Sequence, residues 1–500
     1  MSSGLPAGMR WSLLVPVAAC RAADAPPGPS DTRPVDTGEV AVVPWPACPD
    51  EDATLSVDVE IGAHSNLTLR VTWSTERPAT SEVVFGEDTP LWRLSDDEEV
   101  TEHEVVLYGL HADTDVTLQA HSTSADGTTA CSGQVVGRTG PLPPSVPVGE
   151  LGVFVEGEMQ PGWTLVNVSN RFHEWPPTAV MYDLAGRPVW YVISEPDAFD
   201  DRGDLDVSLT SDLRVLVGGS GPDIQPRAFD LTGREVWTGP PQVAPIQHHH
   251  FQHESDGTYM MLRHGAHSAY PGLNLSTVVQ VDASHAPVWT WDPYEHMDAL
   301  GVEPTAQGDA MHANSVTVDG DHVFLNSREL SRLYKVARST GEIEWALGRL
   351  GDFAADPDAA TPWFKSQHEP ELQADGSWLF YDNNGLPGNH SRIVQLAVDE
   401  QNFTTEVLWE FPGDFRVDPW YSHAWFSPIW GDADRLPNGH VLVTAGTRAA
   451  GTQSRVFEVT PEGQVVWELL LPASTGEDVV GTYRAERIDP PGLASMRTAP

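Results

Sequence analysis

Apolar and polar residues alternate along most of this chain in short runs, and glycine, proline or aspartate separates one run from the next. An alternation with a period of two is the pattern of half-buried β-strands, because successive side chains of a strand point to opposite faces. The 43 glycines and 42 prolines among 500 residues supply many turns and disfavour long helices. The pattern therefore predicts an all-β protein.

One unit of this pattern recurs between residues 151 and 472. It is a strand, a short turn and a second strand that ends in tryptophan, as in "AVMYDLAGRPVW" and "VFEVTPEGQVVW". Hairpins such as "LQADGSWLFY" precede the copies, and two hairpins give the four antiparallel strands of a β-propeller blade, in a repeat of about 50 residues. Six copies predict a six-bladed β-propeller, and their terminal tryptophans are Trp190, Trp237, Trp289, Trp345, Trp409 and Trp467.

Residues 50–140 alternate in the same way but lack this repeat. Runs such as "LTLRVTWST" and "DVTLQAHST", separated by turn residues, predict a small β-sandwich ahead of the propeller. The sequence around Trp73 and in "LYGLHADTDV" is similar to a fibronectin type III domain. The proline-rich residues 141–150 predict a linker. Residues 473–500, rich in proline and glycine, are predicted to be a C-terminal tail without a catalytic residue.

The N-terminus resembles a bacterial lipoprotein signal. A short apolar run ends in "VAAC", which predicts a signal peptide over residues 1–20 with lipidation of the Cys20 thiol. An ordinary secretory signal or a disordered tail is the alternative interpretation. Residues 21–49 are predicted to be a flexible tether, and Cys48 and Cys131 would then be a disulfide pair in an oxidising compartment. We expect an exported lipoprotein in the periplasm or at the cell surface of a bacterial envelope.

The formal net charge of −44 limits the possible partners. Such a field repels nucleic acid and anionic lipid headgroups, so we expect no nucleic-acid partner and no membrane contact except through a lipid on Cys20. An anionic substrate would be repelled as well, so its site needs local positive charge. The sequence leaves the oligomeric state open.

Three histidines occupy one position of the repeat. Each stands eight residues before the turn glycine of its hairpin, and the pairs are His249 and Gly257, His312 and Gly320, and His368 and Gly376. Because the first strand of a propeller blade lines the central channel, we expect the three histidines of blades 3 to 5 to lie at one height near the channel mouth. Gly431 has this position in blade 6. Satisfied polar residues at strand starts are the structural alternative.

Further polar residues follow the same histidines. Asn314 lies two residues after His312 and so on the same face of a strand. Arg328 ends the following strand and would supply the positive charge that an anionic group needs, since a guanidinium matches two oxygens of a sulfate or phosphate. Arg392 has a similar position one blade later, where a strand-edge salt bridge is an equal alternative.

At these motifs the chain resembles the bacterial arylsulfate sulfotransferases. The segments "HANSV", "SREL", "LYKV", "TGEIEWALG", "FKSQHEPEL" and "SRIVQL" follow the family's order across roughly residues 150–472. The resemblance implies a six-bladed propeller that acts in the periplasm, needs no cofactor and moves a sulfuryl group from a phenolic sulfate ester to another phenol without an adenosine phosphosulfate donor.

The resemblance also implies roles for individual residues. The histidine that becomes a transient sulfohistidine is His368, the H-x-N pair is His312 and Asn314, and the arginine is Arg328. An earlier family histidine lies in "QHHHFQH", where the repeat register selects His249 and leaves His248 or His250 as alternatives.

Those residue types suit sulfuryl transfer. Neutral imidazole is a competent nucleophile, and a covalent intermediate divides one difficult transfer into two steps. Charge spreads over three oxygens at the transition state, so Arg328, His249 and Asn314 could bind those oxygens. His312 could protonate the leaving phenolate and then deprotonate the acceptor. The roles of His312 and His249 are interchangeable at this stage.

Two other functions are compatible with the sequence. The tract "HHHFQH" resembles a metal-binding segment, although alternate residues of a strand point to opposite faces and so cannot all bind one ion. A non-catalytic propeller that binds a partner or a glycan is the other alternative. The shared register of the histidines, with Asn314 and Arg328 beside them, favours an enzyme without a metal.

Overall fold

A computed structural model describes residues 45–47, 54–87, 92–170, 178–193, 205–210, 214–219, 225–239, 246–254, 256–386, 390–413, 426–446, 453–471, 480–489 and 494–495. Within these ranges the chain is almost entirely strand, and its helices are one 3-10 turn and α1, which are Pro293–Glu295 and Met297–Leu300. No helix in these ranges is long and apolar enough to cross a membrane. The predicted signal peptide and most of the predicted tether, with Cys20 and Cys48, lie outside the described residues.

The first strands form the β-sandwich. They are β1 (Thr54–Leu55), β2 (Asp58–Ile61), β3 (Leu69–Gly86), β4 (Trp92–Leu107), β5 (Asp115–Thr123), β6 (Thr129–Ser132) and β7 (Val135–Arg138). The first half of β3 pairs with β2 and with the end of β4, whereas its second half pairs with the start of β4 and with β5. Register breaks between Ser74 and Ser81 separate the two halves. Two long strands thus connect two small sheets.

Six four-stranded antiparallel units follow in the described parts of the chain. The short β8 (Glu150–Phe154) precedes blade 1. Three consecutive strands of the chain belong to this blade, namely β9 (Trp163–Asn170), β10 (Thr178–Tyr182) and β11 (Pro188–Ile193). Blade 2 contains β12 (Leu205–Leu209), β13 (Val215–Gly219), β14 (Arg227–Phe229) and β15 (Glu235–Thr238). Blade 3 contains β16 (Ile246–His253), β17 (Tyr259–Ala266), β18 (Leu273–Val281) and β19 (Pro287–Trp291), with the short β20 (Gly308–Asp309) beside β18.

The last three blades are regular. Blade 4 contains β21 (Ala313–Asp319), β22 (His322–Ser327), β23 (Arg332–Ala337) and β24 (Ile343–Gly348). Blade 5 contains β25 (His368–Leu372), β26 (Trp378–Leu386), β27 (His390–Asp399) and β28 (Thr404–Phe411). Blade 6 contains β29 (Asp432–Arg435), β30 (Val441–Ala445), β31 (Arg455–Val459) and β32 (Val465–Leu470). The predicted fold, a six-bladed β-propeller preceded by a small β-sandwich, is confirmed.

Both ends of the propeller segment close the ring. Near the C-terminus, β33 (Val480–Gly481), β34 (Ala485–Ile488) and β35 (Ala494–Ser495) follow one another, and β34 pairs with β9 as the innermost strand of blade 1. At the other end, β8 pairs with β32 as the outermost strand of blade 6. The propeller therefore extends past residue 472 and takes its closing strand from the segment that the sequence analysis sets apart as a tail.

Three of the repeated tryptophans, Trp289, Trp409 and Trp467, donate a hydrogen bond to the next blade. Each lies on the fourth strand of its blade, at the point where the pairing with the third strand shifts register. The indole N–H of Trp289 donates to the Arg338 carbonyl of blade 4, and that of Trp467 donates to the Leu184 carbonyl of blade 1. This contact requires the adjacent blade, as expected for a repeat that one unit cannot stabilise by itself.

The sandwich packs on blades 1 and 2 through a shared hydrophobic core that includes Leu110 and Val116 of the sandwich and Leu165 and Phe229 of the blades. His111 adds a polar contact at this boundary. Its Nδ1 pairs with Glu87 of the sandwich, and its Nε2 is 3.0 Å from Asp183 Oδ2 of blade 1. Both ring nitrogens face carboxylates, so His111 is held as an imidazolium between the two domains.

This contact makes the stability of the protein pH-dependent. Burial opposes protonation, but the hydrogen bonds to Asp183 and Glu87 outweigh it and raise the pKa of His111 from 6.5 to about 8. Because folding stabilises the protonated form, the contribution is complete below pH 6.5 and is lost as the pH rises through 8. The shift corresponds to about 2 kcal/mol.

We expect His111→Ala to lower the melting temperature at pH 6 and to have little effect at pH 9. Thermal unfolding of the native protein and of His111→Ala across this pH range measures the difference, and His64→Ala, at an exposed histidine of the same domain, is the control. A constant difference between native protein and His111→Ala at all pH values would contradict the assignment.

Candidate functional site

The candidate site lies where the inner strands of blades 3, 4 and 5 begin. At each of these starts the pairing with the second strand contains a bulge. The backbone is left-handed at His249, His312 and Glu369, with φ of 57°, 45° and 40°. Such conformations cost on the order of 1–3 kcal/mol each for residues other than glycine and concentrate at functional sites. The recurring bulge brings the histidines of three blades together.

His249 and His312 are in direct contact. Their Nε2 atoms are 3.0 Å apart, so a single proton lies between the two rings. The Nδ1 of His312 is 2.5 Å from Asp309 Oδ2, and the other oxygen of Asp309 accepts the backbone N–H of His312 at 2.8 Å. The carboxylate therefore assigns a proton to His312 Nδ1 and directs Nε2 toward His249.

His368 completes the group of histidines. Its ring centroid is 6.4 Å from that of His249, and the residue is 1% exposed. The Asn383 amide nitrogen donates to the carbonyls of Ser427 and Trp430, at 2.8 and 2.7 Å, which fixes the orientation of this amide. Asn383 Oδ1 consequently accepts the Nδ1–H of His368 at 2.7 Å.

The remaining nitrogen of His368 carries a lone pair. Nε2 accepts the backbone N–H of Trp430 at 3.3 Å, a long hydrogen bond. Burial, together with the smaller effects of the Arg328 and His312 charges, lowers the pKa of His368 to about 3, although the hydrogen bond to Asn383 opposes this shift. His368 is thus a neutral imidazole of fixed tautomer.

Arg328 supplies positive charge at this group. Its backbone N–H donates to the His312 carbonyl at 3.1 Å, which ties the end of β22 to the start of β21. One guanidinium nitrogen pairs with Glu329, and another donates to the Pro428 carbonyl at 3.4 Å. The side chain remains 20% exposed, so it is accessible to a ligand.

Asn314 was predicted to bind the sulfuryl oxygens, but its side chain is hydrogen-bonded within the protein. Its fully buried amide donates to the Gln367 carbonyl at 3.0 Å and accepts from Asn326 at 2.6 Å. Gln367 in turn donates to Asn326 Oδ1 at 2.6 Å. The side chain of Asn314 therefore fixes the residue before His368, and this network connects blades 4 and 5.

The described secondary candidates, Arg392 and His250, have other partners. Arg392 is buried in ion pairs with Asp382 and Glu410, at 2.8 and 2.7 Å. Arg484 Nη2 is 3.3 Å from His250 Nδ1, and burial lowers the pKa of His250 well below its usual value. The side chain of His248 lies outside the described part of the structure. Among the side chains of the tract "QHHHFQH" that the structure describes, that of His249 contacts His312.

Tyr483, which the sequence patterns did not indicate, comes from the loop before β34. Its ring centroid is 5.4 Å from that of His249 and 5.9 Å from that of His368. Its hydroxyl is 2.7 Å from Glu369 Oε1. The alternation of residues in "TYRAERI" could have indicated a strand here. Blade 1 has only three strands of its own, so a fourth strand had to come from another segment, and the C-terminal segment supplies it.

Carboxylates line the inner strands around Arg484. This guanidinium pairs with Glu369 at 2.5 Å and with Asp206 at 3.1 Å. Burial raises the pKa of Asp206 to about 8 and that of Glu486 to about 7. It also raises the pKa of Asp432 well above its usual value. An anion therefore meets favourable charge at Arg328 and an acidic layer around Arg484.

No group of three or more His, Cys, Asp or Glu side chains in the described ranges is arranged to hold a metal ion. Cys131 is disulfide-bonded, and Cys48, its predicted partner, lies in a segment that the structure does not describe.

Comparison with known proteins gives one assignment. The sequence profile of the Arylsulfotransferase (ASST) family matches residues 155–484. No protein with a curated description matches the chain. Among solved structures, a protein of unknown function from Bacteroides caccae is 16% identical with a TM-score of 0.43, covering 64% of this chain and 97% of its own. The β-propeller domain of Cps50 (Swd1) from Myceliophteria thermophila is 12% identical with a TM-score of 0.36, covering 67% and 99%.

The setting of His368 generates a prediction that needs no ligand. We expect His368 to stay neutral throughout the range in which histidines ordinarily titrate, because its pKa is about 3. Asn383→Asp should raise this pKa, since a carboxylate in place of the amide oxygen stabilises the imidazolium. NMR titration of ¹⁵N-histidine-labelled protein measures both, with His368→Gln for assignment and Asn383→Ala as the uncharged comparison. An ordinary titration of His368 in the native protein would contradict the geometry.

Proposed function

Because the chain belongs to the arylsulfotransferase family, we propose that it transfers a sulfuryl group from a phenolic sulfate ester to a phenol through a covalent sulfohistidine at His368, without an adenosine phosphosulfate donor. The family implies small-molecule donors and acceptors of these two classes. One observation carries the covalent step, namely that His368 is a buried, neutral imidazole whose Nδ1–H is held by Asn383 at 2.7 Å. A neutral imidazole is the nucleophilic form.

In the first half of the reaction, His368 Nε2 attacks the sulfur of the donor. The N–S bond forms while the bond between sulfur and the phenolic oxygen breaks. His312, as an imidazolium paired with Asp309, gives its Nε2 proton to the leaving phenolate and becomes neutral. The contact of 3.0 Å between His312 and His249 supports this role, since the two rings already share a proton.

Positive charge at the transition state comes from Arg328. Sulfuryl transfer resembles phosphoryl transfer, in which charge spreads over three oxygens and catalysis is mainly positioning and electrostatic stabilisation. A guanidinium that is 20% exposed beside His368 suits this purpose. His249, at the same channel position, is a second donor for these oxygens.

In the second half, the acceptor phenol replaces the departed phenol. Its proton moves to the neutral His312, its oxygen attacks sulfur, and the N–S bond breaks. His368 is thereby regenerated as a neutral imidazole and His312 as an imidazolium, so that protons balance over the cycle. Asn314 contributes by holding the Gln367 carbonyl rather than by contacting the sulfuryl oxygens.

We expect purified protein without residues 1–20 to release nitrophenolate from 4-nitrophenyl sulfate with turnover only when a phenol acceptor is present, and to release no more than one equivalent per protein without an acceptor, with no adenosine donor and no added metal. His368→Ala should lose on the order of 10⁵-fold or more of this rate, because the nucleophile is absent. Donor without acceptor should leave the native protein heavier by one sulfuryl group, and peptide mass spectrometry should locate the group on His368.

His322→Ala is the matched control, since His322 lies on blade 4 and pairs with Glu344 away from the channel. Full activity in His368→Ala, or a sulfuryl group on another residue, would refute the covalent step. No release with any phenol would favour a propeller that binds a partner or a glycan.

We further propose that the protein is exported and anchored by a lipid on Cys20. The disulfide at Cys131 supports this, because such bonds persist in oxidising compartments. Expression in a bacterial host with labelled palmitate should label the native chain and leave Cys20→Ser unlabelled. Equal labelling of the two chains, or none of either with the protein in the cytosol, would contradict the proposal.

A further inference from the structure

We propose that Asp309 is a positioning residue that makes His312 the general acid and base of the reaction. This inference rests on the sulfuryl transfer proposed above and deepens it. Neither the register of the repeat nor the family motifs select Asp309, which lies three residues before His312 and outside the four-stranded part of its blade.

The backbone around Asp309 is held firmly. The two-residue strand β20 runs parallel to β18, with Asn274 opposite Asp309. The N–H of Gly308 donates to the Gly272 carbonyl at 2.7 Å, and Gly308 has a φ of 74°, a conformation that favours glycine. The carboxylate is therefore delivered from blade 3 to a histidine at the start of blade 4, where the two blades meet.

The two oxygens of Asp309 have separate partners on one residue. Oδ1 accepts the backbone N–H of His312 at 2.8 Å, and Oδ2 accepts its Nδ1–H at 2.5 Å. A purely structural aspartate at a turn needs the backbone contact alone. The second contact fixes the tautomer and the rotation of the ring, so that Nε2 faces the reacting group, and it stabilises the imidazolium.

Two other histidines, His264 and His249, face the pair formed by Asp309 and His312. His264 is the other histidine near Asp309, with 4.0 Å between Nδ1 and Oδ2, and burial lowers the pKa of His264. His264 is therefore uncharged and does not compete for the carboxylate as a cation. On its other side, His312 faces His249 across 3.0 Å. Asp309 is thus the carboxylate that holds the His312 ring, on the side of the ring opposite His249.

A dependence on the leaving group separates this role from simple support of the fold. A phenolate that is a strong base needs a proton as it departs, whereas 4-nitrophenolate leaves readily without one. We expect Asp309→Asn to slow transfer from phenyl sulfate by on the order of 100-fold and transfer from 4-nitrophenyl sulfate by less than about tenfold. Asp309→Glu should recover part of the loss with phenyl sulfate.

Asp298→Asn, which removes an exposed carboxylate of the nearby helix α1, is the control and should behave as native protein. Equal losses with both esters, or no loss with either, would overturn the assignment of Asp309. Inactivity of the native protein with every aryl sulfate would instead overturn the proposed function.

A second readout needs no turnover. Proton NMR of ¹⁵N-histidine-labelled protein should contain a far-downfield imidazole N–H signal from His312 Nδ1, which moves upfield in Asp309→Asn, where a neutral amide replaces the carboxylate, and disappears in His312→Gln. Its absence from the native protein would refute the positioning role whatever the activity. An unchanged chemical shift in Asp309→Asn would refute it as well, because the proton would then be held by a group other than the Asp309 carboxylate.

Discussion

Closure of the ring determines both the stability of the propeller and the position of its site. A blade buries its faces only against neighbouring blades, so the stack is stable only when the last blade meets the first. Here β34 supplies the inner strand of blade 1, β8 supplies the outer edge of blade 6, and the Trp467 indole donates to a blade 1 carbonyl. The same closing segment inserts Tyr483 beside His249 and His368, so that the site is assembled by the step that closes the fold.

The electrostatics of the centre follow from burial rather than from net charge. A protein with a formal charge of −44 repels sulfate esters. At ordinary salt concentrations this repulsion is largely screened beyond about 10 Å. Close to the histidines the field is different, because Arg328 is near enough to lower the pKa of His368. Around Arg484, burial raises the pKa of Asp206 to about 8, which reduces the negative charge beside the site. Local desolvation therefore permits an anion site inside an acidic protein.

The repeat allowed most of this architecture to be predicted. A fixed tryptophan and a fixed distance from histidine to turn glycine are local patterns, and they identify the blades and align His249, His312 and His368. Contacts made by residues outside the repeat were not predictable in this way. Tyr483 lies in a segment without a hairpin, and the rotamer that turns Asn314 toward Gln367 depends on packing between two blades. Asp309 lies in a short strand that pairs outside the regular order of the blades.

The recurring bulge explains why repetition can generate a site at all. A left-handed residue at the start of an inner strand turns the chain in blades 3, 4 and 5, and blade 6 has Gly431 at the corresponding place with a φ of 112°. A Cβ on Gly431 would lie 2.5 Å from the Tyr381 ring, so only glycine fits there. The neighbouring Trp430 directs its N–H to His368. A left-handed residue at or next to the same repeat position thus accompanies an imidazole in blades 3, 4 and 5 and a backbone N–H donor in blade 6.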